Sequence, residues 1–309
     1  MTRGRMELRT LRVATRRSAL ALTQTNYVVD LLRRVAPGVE FELVPIRTRG
    51  DEIVDRALSE VGGKGLFVAD IEEALATGQA DLAVHSLKDV PFELREGLTI
   101  GAVPPREDPR DALISRTGQG LFDLPSGARV GTSSLRRQAA LRRLRPDLCV
   151  DTLRGNVDTR LRRLEEGQFD AIVLAASGLH RLGLAGKITE YLPVDRFVPA
   201  VGQGALAVEC RTEDDEVMRH LAAISDPDAT RAVEAERTFL ARLEGSCQVP
   251  IGAYAESVGR GLRLIAFVAD PSGNHHLQLE RTGDDAGALG VAVAEEMLRQ
   301  GAEAWLRPA

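Results

Sequence analysis

Asp89, Cys247 and a run of arginines are the groups in this chain best suited to do chemistry. Asp89 sits in VHSLKDVP, at the end of a short apolar stretch and beside Lys88. A carboxylate there can bind or protonate an amine, or stabilise a cation. Near contact, unit charges attract by roughly 4 kcal/mol at an intermediate dielectric. A plain surface turn with a Lys88–Asp89 pair fits the same residues. Cys247 lies in LEGSCQVPIG, on a loop bounded by glycine and proline just after a helical stretch. An accessible thiol in such a loop serves as a nucleophile or a covalent attachment point. On spacing alone a buried, inert thiol fits equally well, and no histidine adjoins it. Cys149 and Cys210 fall in apolar strand patterns and read as small hydrophobes.

From Arg129 to Arg163 there are ten arginines against three aspartates, a local charge of +7 in a chain whose net charge is −5. A cationic patch inside an anionic protein points to a small acidic ligand, not to nucleic acid. The planar guanidinium grips carboxylate or phosphate with two parallel hydrogen bonds. Arg136, Arg137, Arg154 and Arg160 lie near helix starts just after short strands and read as ligand contacts. Arg142, Arg143, Arg145, Arg162 and Arg163 recur at helical spacing and read as solvated helix faces. Thr132, Ser133 and Ser134, in GTSSLRRQ, offer hydroxyls and backbone amides to an anion. Of 40 basic residues only Lys64, Lys88 and Lys187 are lysine, and Lys64, in VGGKGLF, also reads as a loop residue. The five histidines show no metal-ligand spacing, so no metal is expected.

The elements that must position these groups come in two styles. Strand-like runs at Leu11–Thr15, Phe41–Ile46 and Asp81–His85 alternate with helical ones at Ala19–Arg34 and Leu66–Thr77. After Pro104-Pro105 the pattern restarts: strands at Arg129–Gly131, Leu148–Thr152 and Asp170–Ala175, helices at Ser134–Leu144 and Val157–Glu166. This alternation predicts largely parallel sheets in two α/β lobes, with ligands in a cleft between them. Pro193–Arg211 reads as the return crossing. From Asp226-Pro227 a helix runs to about Glu244. Three strand-like runs and a final helix at Gly287–Gln300 follow, predicting a small antiparallel α+β domain with helices on one face. The domains expected are 6–104 with 200–222, 105–199, and 226–309. The 309 residues, 44% apolar and 28% charged, describe a soluble globular protein. No run nears the roughly 20 apolar residues that span a bilayer, and none follows the basic start as a signal would. Three cysteines, an odd number, argue against a disulfide framework and for a reducing cytoplasm.

VATRRSALALTQ, TRGD, GGKGLFVADIE, DLAVHSLKDVP, EDPRDALIS, VGTSSLRRQ, TLRGNVDTRL, GQGALAVE and GSCQVPIG follow one another in this chain. Through them it resembles the porphobilinogen deaminase (hydroxymethylbilane synthase) family along nearly its whole length. The resemblance implies two periplasmic-binding-protein-like lobes plus a third domain. It also implies head-to-tail joining of four porphobilinogen molecules with loss of ammonia, releasing a linear hydroxymethylbilane. It implies a dipyrromethane cofactor, held as a thioether by Cys247, and Asp89 as the catalytic aspartate, assisted by Lys88. Lys64, Ser86, Lys88, Asp89, Thr132, Ser134, Arg136, Arg137, Arg154 and Gly155 are implied for the cofactor. Arg16, Ser18, Gln24, Phe67, Arg154, Arg160, Arg181 and Gln203 are implied for the substrate, and a monomer is implied as the working form. The chain departs from the family's common pattern at Thr23, Glu60, Ala69-Asp70 and Ser246. The rival reading is a two-lobed binding protein for a small anion, which lacks a use for Cys247.

Overall fold

The computed structural model describes residues 9–48, 68–243 and 249–306. They form two compact units. The first takes in 9–48, 68–105 and 206–226. Its strands are β1 (Arg9–Arg16), β2 (Val39–Ile46), β3 (Leu82–Ser86), β4 (Leu98–Ala102) and β10 (Leu206–Arg211), in the order β2-β1-β3-β10-β4. Helix α1 (Ala19–Val35) follows β1. Ser18 starts it, its hydroxyl accepting from the Ala21 amide at 3.3 Å, and Pro37-Gly38 lies just beyond its end. Val28, Val29 and Leu32 recur on its buried side and pack with Leu11, Val13, Leu82 and Val84. Helix α2 (Ala69–Ala76) covers the opposite face, where Ile71, Ala74 and Leu75 meet Ala14 and Ala83. β3 leads into a 3-10 turn, Leu87–Asp89.

Parallel pairing accounts for β1 with β2 and β3, but β10 runs antiparallel to both β3 and β4. The expectation of a largely parallel sheet is corrected to a mixed one. The chain passes from the second unit to the first within the segment read as a return crossing, and its end forms the interior strand β10, because the LAVECR run is apolar on one side and has a strand to pair on each edge.

The second unit takes in 106–205, 227–243 and 249–306. One sheet holds β5 (Asp111–Ser115), β6 (Arg129–Gly131), β7 (Cys149–Asp151), β8 (Ala171–Ala175) and β9 (Glu190–Leu192), in the order β7-β6-β8-β5-β9. Its helices are α3 (Leu135–Leu144), α4 (Val157–Glu165) and α5 (Ala176–Arg181). This sheet is mixed as well, with β5 antiparallel to β8 and β9. Cys149 is exposed on the edge strand β7, which corrects its reading as a packed hydrophobe.

A second sheet, β11 (Ile251–Val258), β12 (Gly261–Ala269) and β13 (His276–Gly283), is an antiparallel meander. Helices α6 (Asp215–Ala222, in the first unit), α7 (Pro227–Arg242), α8 (Ala286–Arg299) and the short α9 (Glu303–Leu306) complete the set among the described residues. α7 and α8 cover one face of the meander through Phe239, Val293 and Met297. Its other face is buried too: Ile265, Phe267 and Ala269 pack on Ala139 of α3 and on Val198. No helix among the described residues is long and apolar enough to cross a membrane.

Candidate functional site

In the first unit, the carboxyl ends of β1 and β3 and the start of α1 enclose a cavity of about 70 Å³, lined by Arg16, Ser18, Gln24, His85, Ser86 and Asp89 together with apolar neighbours. The geometry follows from the local sequence. Ser18 caps the helix start with its hydroxyl, which puts it in the cavity lining. Gln24, buried on the first turns of α1, donates to the Ser86 hydroxyl at 2.9 Å and pins the end of β3. The 3-10 turn then brings Asp89 out to the exposed side, with Lys88 half-buried before it. The amides at the start of α1 carry partial positive charge, which suits a carboxylate beside the Arg16 guanidinium. The cavity thus offers a cationic side for a ligand's acid groups and a carboxylate for a cation.

In the second unit the arginines divide. Ser134 caps α3, its hydroxyl accepting from the Arg137 amide at 3.4 Å, so Arg136 and Arg137 fall in the first turn. They are only 4% and 5% exposed, and both reach the fully buried Asp111 at the start of β5. Arg136 Nη1 lies 2.8 Å from Oδ2 and donates to the Val198 carbonyl at 2.6 Å. Arg137 Nη2 lies 2.7 Å from Oδ1, while Arg137 Nε donates to it at 2.8 Å. Gln203 donates to the same Oδ1 at 3.0 Å and to the Pro109 carbonyl at 2.7 Å. Burial alone would raise the Asp111 pKa, but the charges of Arg136 and Arg137 outweigh it and hold it down at about 2. Burial pushes the Arg137 guanidinium down, against the pull of Asp111. Two arginines face one aspartate, so the cluster keeps one excess positive charge, and Arg136 Nε is a buried donor with no partner among the described residues. Arg136 and Arg137, read in the sequence as ligand contacts, are interior groups tied to Asp111, and Gln203 belongs to the same network.

Arg154, Arg160 and Arg181 are half-buried. Arg160 Nε donates to the Gly155 carbonyl at 2.7 Å, and Asn156, the cap of α4, accepts from the Thr159 amide at 3.0 Å. Gly155 has φ +108°, and a Cβ there would come 2.8 Å from the Thr159 side chain. Arg181 donates to the Gly204 carbonyl at 2.7 Å. Thr132 is buried at the end of β6, its amide donating to the Asp151 carbonyl at 2.9 Å. Three arginines read as a solvated face are corrected. Arg142 donates to the Pro271 carbonyl at 2.9 Å, Arg143 donates to the Arg196 carbonyl, and Arg145 donates to Leu121 and Leu124 carbonyls at 2.7 and 2.8 Å. Helical spacing alone does not tell which neighbouring carbonyls lack donors.

Lys64, Phe67 and Cys247 lie outside the described residues. Sequence reasoning passed over Asp111, His85 and Glu209. Asp111 stands in EDPRDALIS, an acid at the head of an apolar strand, and that mismatch was its signal.

A family model of the porphobilinogen deaminase dipyrromethane-cofactor-binding domain matches residues 11–219, and one of the porphobilinogen deaminase C-terminal domain matches residues 230–299. A porphobilinogen deaminase of Brevibacillus brevis is 55% identical over 293 residues, covering 94% of each chain. One of Syntrophobacter fumaroxidans is 52% identical over 296 residues, covering 95% of this chain and 96% of its own. Among solved structures, the periplasmic VFT2 domain of BvgS from Bordetella pertussis aligns with 70% of this chain and 86% of its own, at 19% identity and a TM-score of 0.41.

Proposed function

This chain belongs to the porphobilinogen deaminase family, and from that premise we propose how its own residues carry the family's reaction. The enzyme joins four porphobilinogen molecules head to tail with loss of ammonia and releases a linear hydroxymethylbilane, a step of tetrapyrrole synthesis. The observation that carries the assignment of roles is the cavity at the end of β3. Arg16, Ser18, Gln24, Ser86 and Asp89, drawn from two stretches of sequence some sixty residues apart, line it together.

Loss of ammonia leaves positive charge on the pyrrole, spread from the former aminomethyl carbon into the ring. Asp89 stabilises that charge, which is larger in the transition state than in the bound substrate, so the interaction speeds the step. Lys88 accompanies it. Arg16 and the capped start of α1 hold the acetate and propionate groups of the ring, with Phe67, Arg160, Arg181 and Gln203 contributing to substrate binding. Gln24 fixes Ser86, which keeps the turn that carries Asp89 in place.

The family's dipyrromethane cofactor carries four carboxylates, and the residues present suit it. The Arg136–Arg137–Asp111 cluster keeps an excess positive charge and a buried Arg136 Nε donor without a partner among the described residues. Lys64, Ser86, Lys88, Asp89, Thr132, Ser134, Arg136, Arg137, Arg154 and Gly155 would hold it, and Cys247 would bind it as a thioether. When bound, the cofactor supplies the pyrrole α-carbon to which the first substrate ring is joined. Asp111 keeps its arginine pair aligned and shields one of the two charges. The domain division proposed is 6–104 with 200–222, 105–199 and 226–309, working as a cytoplasmic monomer. The test is incubation with porphobilinogen while ammonia and released bilane are measured. One bilane for every four ammonia molecules supports this reading. Binding of the substrate without ammonia release would favour the anion-binding alternative.

A further inference from the structure

Glu209 is fully buried in β10, a carboxylate in an apolar strand. Its Oε2 lies 2.9 Å from His85 Nε2, and its Oε1 has no hydrogen-bond partner among the described residues. The pairing sets His85 opposite Ala207 and Glu209 opposite Ala83, so the two are diagonal neighbours on one sheet face. That face lies under α2, among Ile71, Ala74 and Leu75. Between Val208 and Glu209 the register with β4 shifts, skipping Gly101, a bulge of the kind that re-aims side chains beside active sites.

Stability gives a poor account of this pair. Burying charge costs more than apolar packing of similar volume, and well-packed hydrophobic replacements are often as stable. Position gives a better one. His85 is the residue before Ser86 and lines the cavity that holds Arg16 and Asp89. The charged groups around it come from every side. Glu209 is on β10, Arg16 ends β1, Asp89 ends the 3-10 turn, and Glu72 is on α2. Burial pushes the Glu72 carboxyl up; the Arg95 amide opposes this, Glu209 adds to it, and His85 opposes it.

We propose that His85 and Glu209 form a charge-setting pair for ammonia loss. With the imidazole neutral and Glu209 ionised, the pair presents one negative charge to the cavity in which positive charge develops on the substrate. A proton taken from solvent onto His85 cancels it. Glu209 acts through His85 and is a positioning residue. The proposal rests on the reading of the Asp89 cavity as the place where ammonia leaves.

The experiment is the pH dependence of single-turnover ammonia release from porphobilinogen, using cofactor-loaded wild-type, Glu209→Gln and His85→Gln proteins. The wild-type rate falls on the acid side as the pair takes up its proton. Glu209→Gln is slower by about tenfold or more at mildly alkaline pH, and its acid limb flattens or moves by at least about one pH unit. His85→Gln keeps the carboxylate, loses the same limb and slows less at high pH. If Glu209→Gln does not fold, His85→Gln decides the matter. Wild-type limbs in the variants, with only melting temperature lowered, would make the pair structural and overturn the proposal. Normal ammonia release by Asp89→Asn would instead remove the cavity from the reaction, a separate failure.

Discussion

Two aspartates show what surroundings do to one side chain. Asp111 is sealed between Arg136 and Arg137, while Asp89 stands exposed at the end of a 3-10 turn. The Asp111 carboxyl is held at about 2, below its unfolded value near 3.9, so its stabilising effect is complete above about pH 4. It is lost as pH falls from there toward 2. Asp111→Asn should therefore cost about 3 kcal/mol near neutral pH by leaving two buried guanidiniums without their counter-ion. Urea unfolding at pH 7 and at pH 3 measures it, and the gap from wild type should narrow at the lower pH. A variant as stable as wild type at pH 7 would mean that the arginines find other partners. At Asp89 the expected loss is kinetic. Asp89→Asn keeps the size and removes the charge, so single-turnover ammonia release should drop by about a hundredfold or more. Asp89→Glu should retain more activity, its carboxylate displaced but present. Near-normal release by the Asn variant would shift attention to Lys88.

At the scale of elements, the helix starts were readable because capping is local. Ser18, Ser134 and Pro227 mark α1, α3 and α7 within one residue of where they begin. Strand partners were not readable. LAVECR has a strand's composition, but its place between β3 and β4 depends on segments about 100 residues earlier. Separation in sequence also hides the partners of Arg143 and Arg145, which are carbonyls 53, 24 and 21 residues away. Gly155 tests how far an element boundary governs a site. Its φ of +108° favours glycine, and its carbonyl receives Arg160 Nε. Gly155→Ala should cost about 1–2 kcal/mol of stability and turn Arg160 from its present direction. Thermal melting with parallel assays of turnover should show both effects. A loss of stability with unchanged turnover would separate Arg160 from the substrate.

At the scale of the whole molecule, family membership was legible before the fold because ordered motifs run through the chain, whereas the internal ion pairs were not. The spacing of Arg136 and Arg137 in sequence gives no sign that both share Asp111, and only packing shows it. The central claim is that this protein is a porphobilinogen deaminase that carries its cofactor on Cys247, in a segment outside the described residues. Intact mass of the purified protein tests it most directly. The chain alone is 33.4 kDa. Wild-type protein should exceed its sequence mass by two linked pyrrole units, and Cys149→Ser and Cys210→Ser should keep that excess. Cys247→Ser should fold, show the bare sequence mass and release no ammonia from porphobilinogen. An active wild-type protein at its bare sequence mass, or an adduct that survives in Cys247→Ser, would contradict the account.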